Sequence, residues 1–457
     1  MPAAQKEKGA PENKMGTMPI NKLLVSMSLP VMASMLIQAL YNIVDSIFVA
    51  QISEAALTAV SLAFPVQILV IAVGVGTSVG INSLLSRALG GKNFRAANQA
   101  AANGILLIWL SCIPFVLLGL FFAGPFFRSQ TADPEIIGYG SEYLFIVSVF
   151  SFAVFHQIIF EGMLNATGKT FYSMLSQSAG ALANIMLDPI MIFGLFGFPA
   201  LGVGGAAAAT IIGQTVGAAL AIYFNLRKNR EITLPFKKFR PDGATLKEIY
   251  AVGAPSILLI SSGSLMTYGL NLILIPFTST AAAVLGVCFR LQSFVFMPVF
   301  GLTGALSPIV AYNFGARRKG RVIQAVRLGV LYASAIMLPG AACFQLFPAA
   351  LLGLFNAAGE MLAIGGVALR IISLHFLLAG FCIVSISVFQ ALGDGLKSLG
   401  ISVIRQFFAL LPAAWLLSLT GSLELVWWAF PIAECVALAV SAVFLNQVYE
   451  RKIKTLP

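Results

Sequence analysis

The chain has 457 residues, of which 59% are hydrophobic and only 10% charged, and its mean hydropathy is +0.92. A soluble domain carries about 25% charged residues, so a water-soluble enzyme is excluded and lipid must be the main solvent. The net charge of +11 would point to nucleic acid only as a stripe on a soluble face; its spread along the chain points to membrane orientation instead.

Residues 1–21 are polar, carry Lys6, Lys8 and Lys14, and have no apolar core before Leu23. They read as a disordered cytoplasmic tail, not as a cleavable signal peptide. Twelve apolar runs follow, each reaching the about 20 residues that a bilayer crossing needs. Their limits are 23–50, 57–85, 97–123, 136–160, 168–196, 203–226, 247–276, 282–311, 322–348, 361–387, 396–419 and 424–448. They are too long for barrel strands and lack strict alternation. The predicted fold class is an all-α integral membrane protein with twelve transmembrane helices. If every run spans, all of the 28 Lys and Arg except Arg128, Arg290, Arg370 and Arg405 fall on one side. The positive-inside rule then puts both termini in the cytoplasm of a multi-pass protein of the inner (cytoplasmic) membrane.

An internal repeat runs at a constant offset of 225 residues. Pro30 matches Pro255; Phe64, Gln67 and Gly76 match Phe289, Gln292 and Gly301. Gly90 and Gln99 match Gly315 and Gln324, and Ala166 and Gly168 match Ala391 and Gly393. Six spans per half is an even number, so both halves insert with one orientation. That makes a parallel repeat about an axis along the membrane normal, with the substrate path expected between the halves. The predicted organisation is a tail (1–21), an N-lobe of spans 1–6 (22–226), and a basic linker (227–246) with Pro235 and Pro241. A C-lobe of spans 7–12 (247–450) and a tail (451–457) complete it.

On these residues the chain resembles the multidrug and toxic compound extrusion (MATE) family over nearly its whole length. The resemblance rests on Leu29-Pro30, Val44-Asp45, the FPVQ run at 64–67 and the SRALGGKN loop at 86–93. Leu187-Asp188-Pro189, GVGGAAAATIIGQ at 202–214 and FQALGDG at 389–395 extend it. It implies two six-helix lobes forming a V that exports amphiphilic, often cationic compounds in exchange for H⁺ or Na⁺. Within the family the chain is most similar to the bacterial DinF-like group. The branch with carboxylates in spans 7 and 10 is not matched, span 10 offering only Glu360 at its edge.

A carboxylate within hydrocarbon costs about 2.5–3.5 kcal/mol on insertion scales and is a functional candidate for that reason. Asp45 in span 1 and Asp188 in span 5 are the clearest, and Thr210 in span 6 reaches a similar depth of about 8–12 Å at 1.5 Å per residue. Gln38, Tyr41, Asn42 and Asp45 make a polar stripe on span 1, and Asn184 shares a helix face with Asp188. Pro189 frees the Ile185 carbonyl and is expected to kink span 5. Oxygen ligands of these kinds suit Na⁺, and the same carboxylates can carry H⁺; alternatively they only fix helix packing. By resemblance Asp45, Asn184, Asp188 and Thr210 match the family's N-lobe cation site.

Glu434 in span 12, with Arg370 or Arg405 as partner, reads as a neutralised pair locking the C-lobe. Arg290 reads as structurally paired and not as a gate, and Glu161 as a solvated helix end. Met163, Met186, Met266 and Met297 are candidates for a pliable cavity between the lobes. The five cysteines are expected to be buried hydrophobes, and His156 and His375 are too few for a histidine metal site. Gly74, Gly76 and Gly80 and the GVGG run at 202–205 follow no strand, so no nucleotide loop is implied. No ATP, cofactor or nucleic acid is expected; the partners are small amphiphiles and membrane lipids, and the chain is expected to act as a monomer. The rival readings are a flippase for lipid-linked oligosaccharides or lipids, a membrane-embedded enzyme, and a passive channel. The first would want several cavity Arg or Lys, and the second a convergent nucleophile and base that the sequence does not offer.

Overall fold

The computed structural model describes residues 13–234, 241–355 and 357–457, and among these every regular element is helical. Twelve long helices account for the spans. They are α1 (Ile20–Ala50), α2 (Glu54–Gly90), α3 (Phe94–Arg128), α4 (Pro134–Val149 and Phe152–Ala166), α5 (Thr170–Phe193) and α6 (Gly202–Arg227). The second half has α7 (Gly243–Leu274), α8 (Ser279–Gly315), α9 (Lys319–Leu346), α10 (Glu360–Ser373 and Phe376–Ala391), α11 (Gly395–Ser418) and α12 (Leu423–Ile453).

Short polar residues start several of them by taking up an otherwise unpaired first-turn amide. Ser53 accepts from Ala56, Asn93 from Ala96, and Asp133 from Glu135 with Pro134 in the first turn. Asp242 caps α7 in the same way, and hydrogen bonds from Thr245 hold its carboxyl below the ordinary range. Gly194, at φ 75°, ends α5 in the left-handed conformation that glycine adopts without strain.

Eleven of the twelve, counting each bent pair as one, are long and apolar enough to cross a membrane. The exception is α5. Its 24 residues are about 36 Å long, enough to span, but Ser173, Ser176, Gln177, Ser178, Asn184 and Asp188 make it too polar to pass on composition. A helix that violates the lipid rule must hide its polar face in protein, and α5 does so against α6 and α1.

The repeat is visible in the backbone. Lys92 and Arg317, 225 apart, are both non-glycine residues at φ 56°, and Gly168 and Gly393 sit at φ 82° and 83°. The bounds of α5 and α11 differ by the same 225. Bends of 45° in α4 and 52° in α10 fall at corresponding breaks.

The lobes meet through α2 with α7, α1 with α8, and α2 with α8. The contacts are reciprocal. A Cβ on Gly90 would collide with the Tyr312 carbonyl, and one on Gly315 with the Arg87 carbonyl, which is the same pair related by the repeat. Likewise a Cβ on Gly76 would strike Ile257, and one on Gly301 would strike Met32.

The end of the molecule that carries the basic loops is closed. Ser83 donates to the Gln390 carbonyl across the lobes at 2.7 Å. Residues 13–18, expected to be disordered, instead form a short helix (Lys14–Thr17) laid across both lobes. Asn13 donates to the Thr167 carbonyl of the N-lobe at 2.9 Å. From the C-lobe, Asn313 and Arg321 donate to the Met15 carbonyl, Arg321 also to Met18, and Arg318 to Gly16. Met15 is fully buried. Burial and the nearby Lys169 ammonium hold Lys14 below its ordinary value, Glu231 opposing them. Lys6, Lys8 and part of the basic linker lie outside the described residues.

Candidate functional site

The polar face of α5 is where the N-lobe gathers its oxygen atoms. Asn184 and Asp188 lie one turn apart and are 2% and 0% exposed. The Asn184 amide donates to Asp188 Oδ1 at 3.3 Å and to Thr210 Oγ1 of α6 at 3.4 Å. Asp45 of α1 lies close enough to Asp188 for their charges to interact, and Tyr41 and Tyr143 share that field. Tyr143 comes from α4 and accepts a 2.8 Å hydrogen bond from Gln67 of α2.

Among the described residues, three buried oxygens at this meeting point have no donor: Asp45 Oδ1, Asp188 Oδ2 and Asn184 Oδ1. A buried acceptor without a donor is costly, by about 1–3 kcal/mol. All three are acceptors, so the set is short of positive charge. A proton or a Na⁺ ion would satisfy it, and the chemistry of the donor set fits either.

Tyr41, Asn184 and Thr210 line a cavity of about 330 Å³ in the N-lobe, whereas Asp45 and Asp188 stand behind that lining. Gln38, Tyr41, Gln157, Glu161, Asn184 and Thr210 supply much of its polar lining, and Phe300 and Gly304 of α8 reach it from the other lobe. Gln38 accepts from Gln177 of α5 at 2.8 Å, which ties the stripe on α1 to the polar face of α5. Glu161 is not the solvated helix end expected from the sequence. It is 9% exposed, accepts from Gln157 at 3.1 Å and faces the cavity. The bend in α4 separates the half bearing Tyr143 from the half bearing Gln157 and Glu161.

The other expectations divide. Asn42 is exposed and does not join the stripe at Asp45. Pro189 sits in an α5 that runs unbroken to Phe193. Met163 is fully buried in core packing and Met186 is 67% exposed; neither they nor Met266 and Met297 line the cavity, whereas Met35 does. Glu434 pairs with Arg405 at 3.3 Å. Arg370 is exposed and its carbonyl is held by Gln345, so it is not the partner. Arg290 is exposed on α8. Cys343 and Cys435 are exposed, unlike the other three cysteines. Sequence reasoning passed over Tyr143 and Gln67; the Gln67/Gln292 match within the repeat was the available signal.

A family model described as MatE matches residues 30–190 and again 255–416. The chain belongs to the MATE family. The double match is the internal repeat seen as two copies of one domain. Multidrug export protein MepA of Staphylococcus haemolyticus is 27% identical over 431 residues, covering 93% of each chain. The probable multidrug resistance protein NorM of Thermotoga maritima is 28% identical over 411 residues, covering 87% of this chain and 86% of that one. A solved outward-facing multidrug resistance MATE family transporter superposes with a TM-score of 0.91 at 26% identity, covering 98% of this chain and all of that one. This MATE protein is therefore a multi-pass membrane transporter in fold, and its two lobes are the family's repeat.

Proposed function

We propose that the protein is a secondary active exporter. It moves amphiphilic, often cationic small molecules out of the cell in exchange for inward H⁺ or Na⁺, coupled through Asp45 and Asp188. The observation that carries this is the donor-free acceptor set of Asp45, Asn184 and Asp188 beside a cavity within a two-lobed transporter fold. Relatives of comparable length named for multidrug export support the substrate class.

In the cycle, a cation from the outer side neutralises the paired carboxylates. Two carboxylates in one field repel each other, and neutralising them lets α1 and α5 close on each other and reshape the cavity they share. The organic molecule is displaced, the lobes open at the basic end, and the ion leaves to the side where it is scarce. For an uncharged substrate, one charge moved through 100 mV supplies about 2.3 kcal/mol, enough for a gradient of about fiftyfold; a monovalent cation exchanged one for one moves no net charge and draws on the ion's own concentration gradient. The basic end is the cytoplasmic end in this reading, so both termini lie inside the cell.

The test is uptake of a fluorescent lipophilic cation into proteoliposomes under an imposed H⁺ or Na⁺ gradient. Wild type takes it up under one of the two gradients, and Asp45→Asn and Asp188→Asn each reduce the gradient-driven rate at least tenfold. Wild type inert under both gradients would overturn export of organic cations, and a lipid-linked substrate would then be assayed. Wild-type rates in both variants would overturn the ion site.

A further inference from the structure

The C-lobe contains a second buried polar cluster that the coupling scheme does not use. Glu434 of α12 is 3% exposed and His375, at the break in α10, is 4% exposed. Arg405 reaches Glu434 at 3.3 Å from a π-helical turn (Ile404–Leu410) in α11. Glu434 Oε1 and His375 Nδ1 are buried without a hydrogen-bond partner among the described residues. The titratable groups facing Glu434 are His375 and Cys382 from α10 and Arg405 from α11. Helix breaks and π-turns are where membrane and enzyme sites tend to be built.

The repeat gives this cluster a meaning. Stepping 225 residues from Asp45, Asn184, Asp188 and Thr210 of the N-lobe gives Leu270, Ala409, Ala413 and Cys435, so the C-lobe repeats none of them. Stepping back from the cluster, Arg405 corresponds to Gly180 and Cys382 to Gln157, both of which line the N-lobe cavity. Glu434 corresponds to Ala209, next to Thr210. Where the N-lobe has a glycine at the cavity wall the C-lobe has a long cation, and an acid stands beside the position that corresponds to Thr210.

We propose that Arg405 is a tethered cation seated in the C-lobe counterpart of the N-lobe cavity, and that Glu434 with His375 behind it forms a latent proton-binding site. On this account the C-lobe carries a fixed cation already balanced by its own carboxylate, and only the N-lobe exchanges an ion with solution. The idea rests on the N-lobe reading for that last consequence alone. A buried carboxylate stripped of its guanidinium is costly as an anion and binds a proton instead.

The experiment uses the full chain in lipid nanodiscs and reads the infrared C=O stretch of protonated carboxylic acids at pH 7. Wild type and Glu434→Gln are expected to give the same band, because Glu434 is ionised. Arg405→Gln should add the signal of one carboxylic acid per molecule, and Arg405→Gln/Glu434→Gln should remove it. Arg405→Lys keeps a tethered cation and should match wild type, which covers the case in which Arg405→Gln fails to fold. A carboxylic acid band lost on going from wild type to Glu434→Gln would overturn the proposal. So would a folded Arg405→Gln that gains no band, or an Arg405→Lys that gains one. None of these readouts involves transport, so their failure leaves the Asp45 and Asp188 scheme standing, and the reverse holds.

Discussion

Thr210 is the N-lobe residue whose contribution can be isolated most cleanly, because its hydroxyl meets Asn184 at 3.4 Å while its methyl only packs. Thr210→Val keeps the shape and removes the oxygen. A lost hydrogen bond or ligand of this kind is worth about 1 kcal/mol, so the half-saturating H⁺ or Na⁺ concentration for transport should rise about fivefold, with Thr210→Ser near wild type. Glu161→Gln is expected to leave cation binding at Asp188 intact but to slow coupled uptake severalfold, measured in the same proteoliposomes, because Glu161 lines the same cavity. Asp45, Asn184, Asp188 and Thr210 were legible in the sequence because a polar residue inside an apolar run stands out at once. Glu161 was not, since it stands near a predicted loop and only the packing of α4 against α6 and α2 turns it inward. Tyr143 was invisible for a different reason: a tyrosine in an apolar helix is ordinary, and only its Gln67 partner from another helix marks it.

Among the elements, the sequence singled out Pro189 as a place to bend and did not mark the two helix breaks. Pro30, Pro65, Pro114, Pro255, Pro298 and Pro308 all sit inside continuous helices, as does Pro189. Neighbouring helices can satisfy the carbonyls a proline frees within a membrane. The two bends above 40° fall at breaks 149–152 and 373–376, where there is no proline. Length and hydropathy could place the spans but could not reveal these, because a helix break in a packed bundle is decided by neighbours. The crossing of α2 with α8 yields a sharper expectation. Gly90 and Gly315 each face a carbonyl of the other helix, and no rotamer relieves a backbone collision. Gly90→Val should therefore hold the basic end apart. Spin labels at the exposed, repeat-related positions Lys92 and Arg317 would report a longer distance than in wild type by electron-electron resonance. An unchanged distance in a folded variant would mean that the crossing adapts.

At the scale of the whole molecule, closure at the basic end depends on the short helix Lys14–Thr17 as well as on the lobes themselves. Arg321 spans Asn313 and the Met15 and Met18 carbonyls at 2.8–3.0 Å, so one side chain ties that helix to the C-lobe. Arg321→Gln should weaken the tie, and amide hydrogen exchange over residues 14–18 should accelerate at least tenfold, a loss of about 1.4 kcal/mol of local protection. Exchange at the wild-type rate would show that Asn13, Asn313 and Arg318 suffice. The two-lobed plan itself was readable from the constant offset, and the charge asymmetry along the chain agreed with twelve crossings. How residues 13–18 would be used was not readable, since their partners lie 154 to 306 positions away.

That separation has a consequence for biogenesis. Residues 13–18 leave the ribosome first, but the side chains that seat them, Asn313, Arg318 and Arg321, are made some 300 positions later. At about 5–20 residues per second, synthesis imposes a delay of roughly 15–60 s. Throughout that interval the N-lobe inserts with residues 13–18 lacking their C-lobe partners and the carbonyls of Met15, Gly16 and Met18 without those donors. The docked segment thus records that the first part of the second half has arrived, and the Ser83–Gln390 contact, which needs residues made later still, can close only after its partners exist.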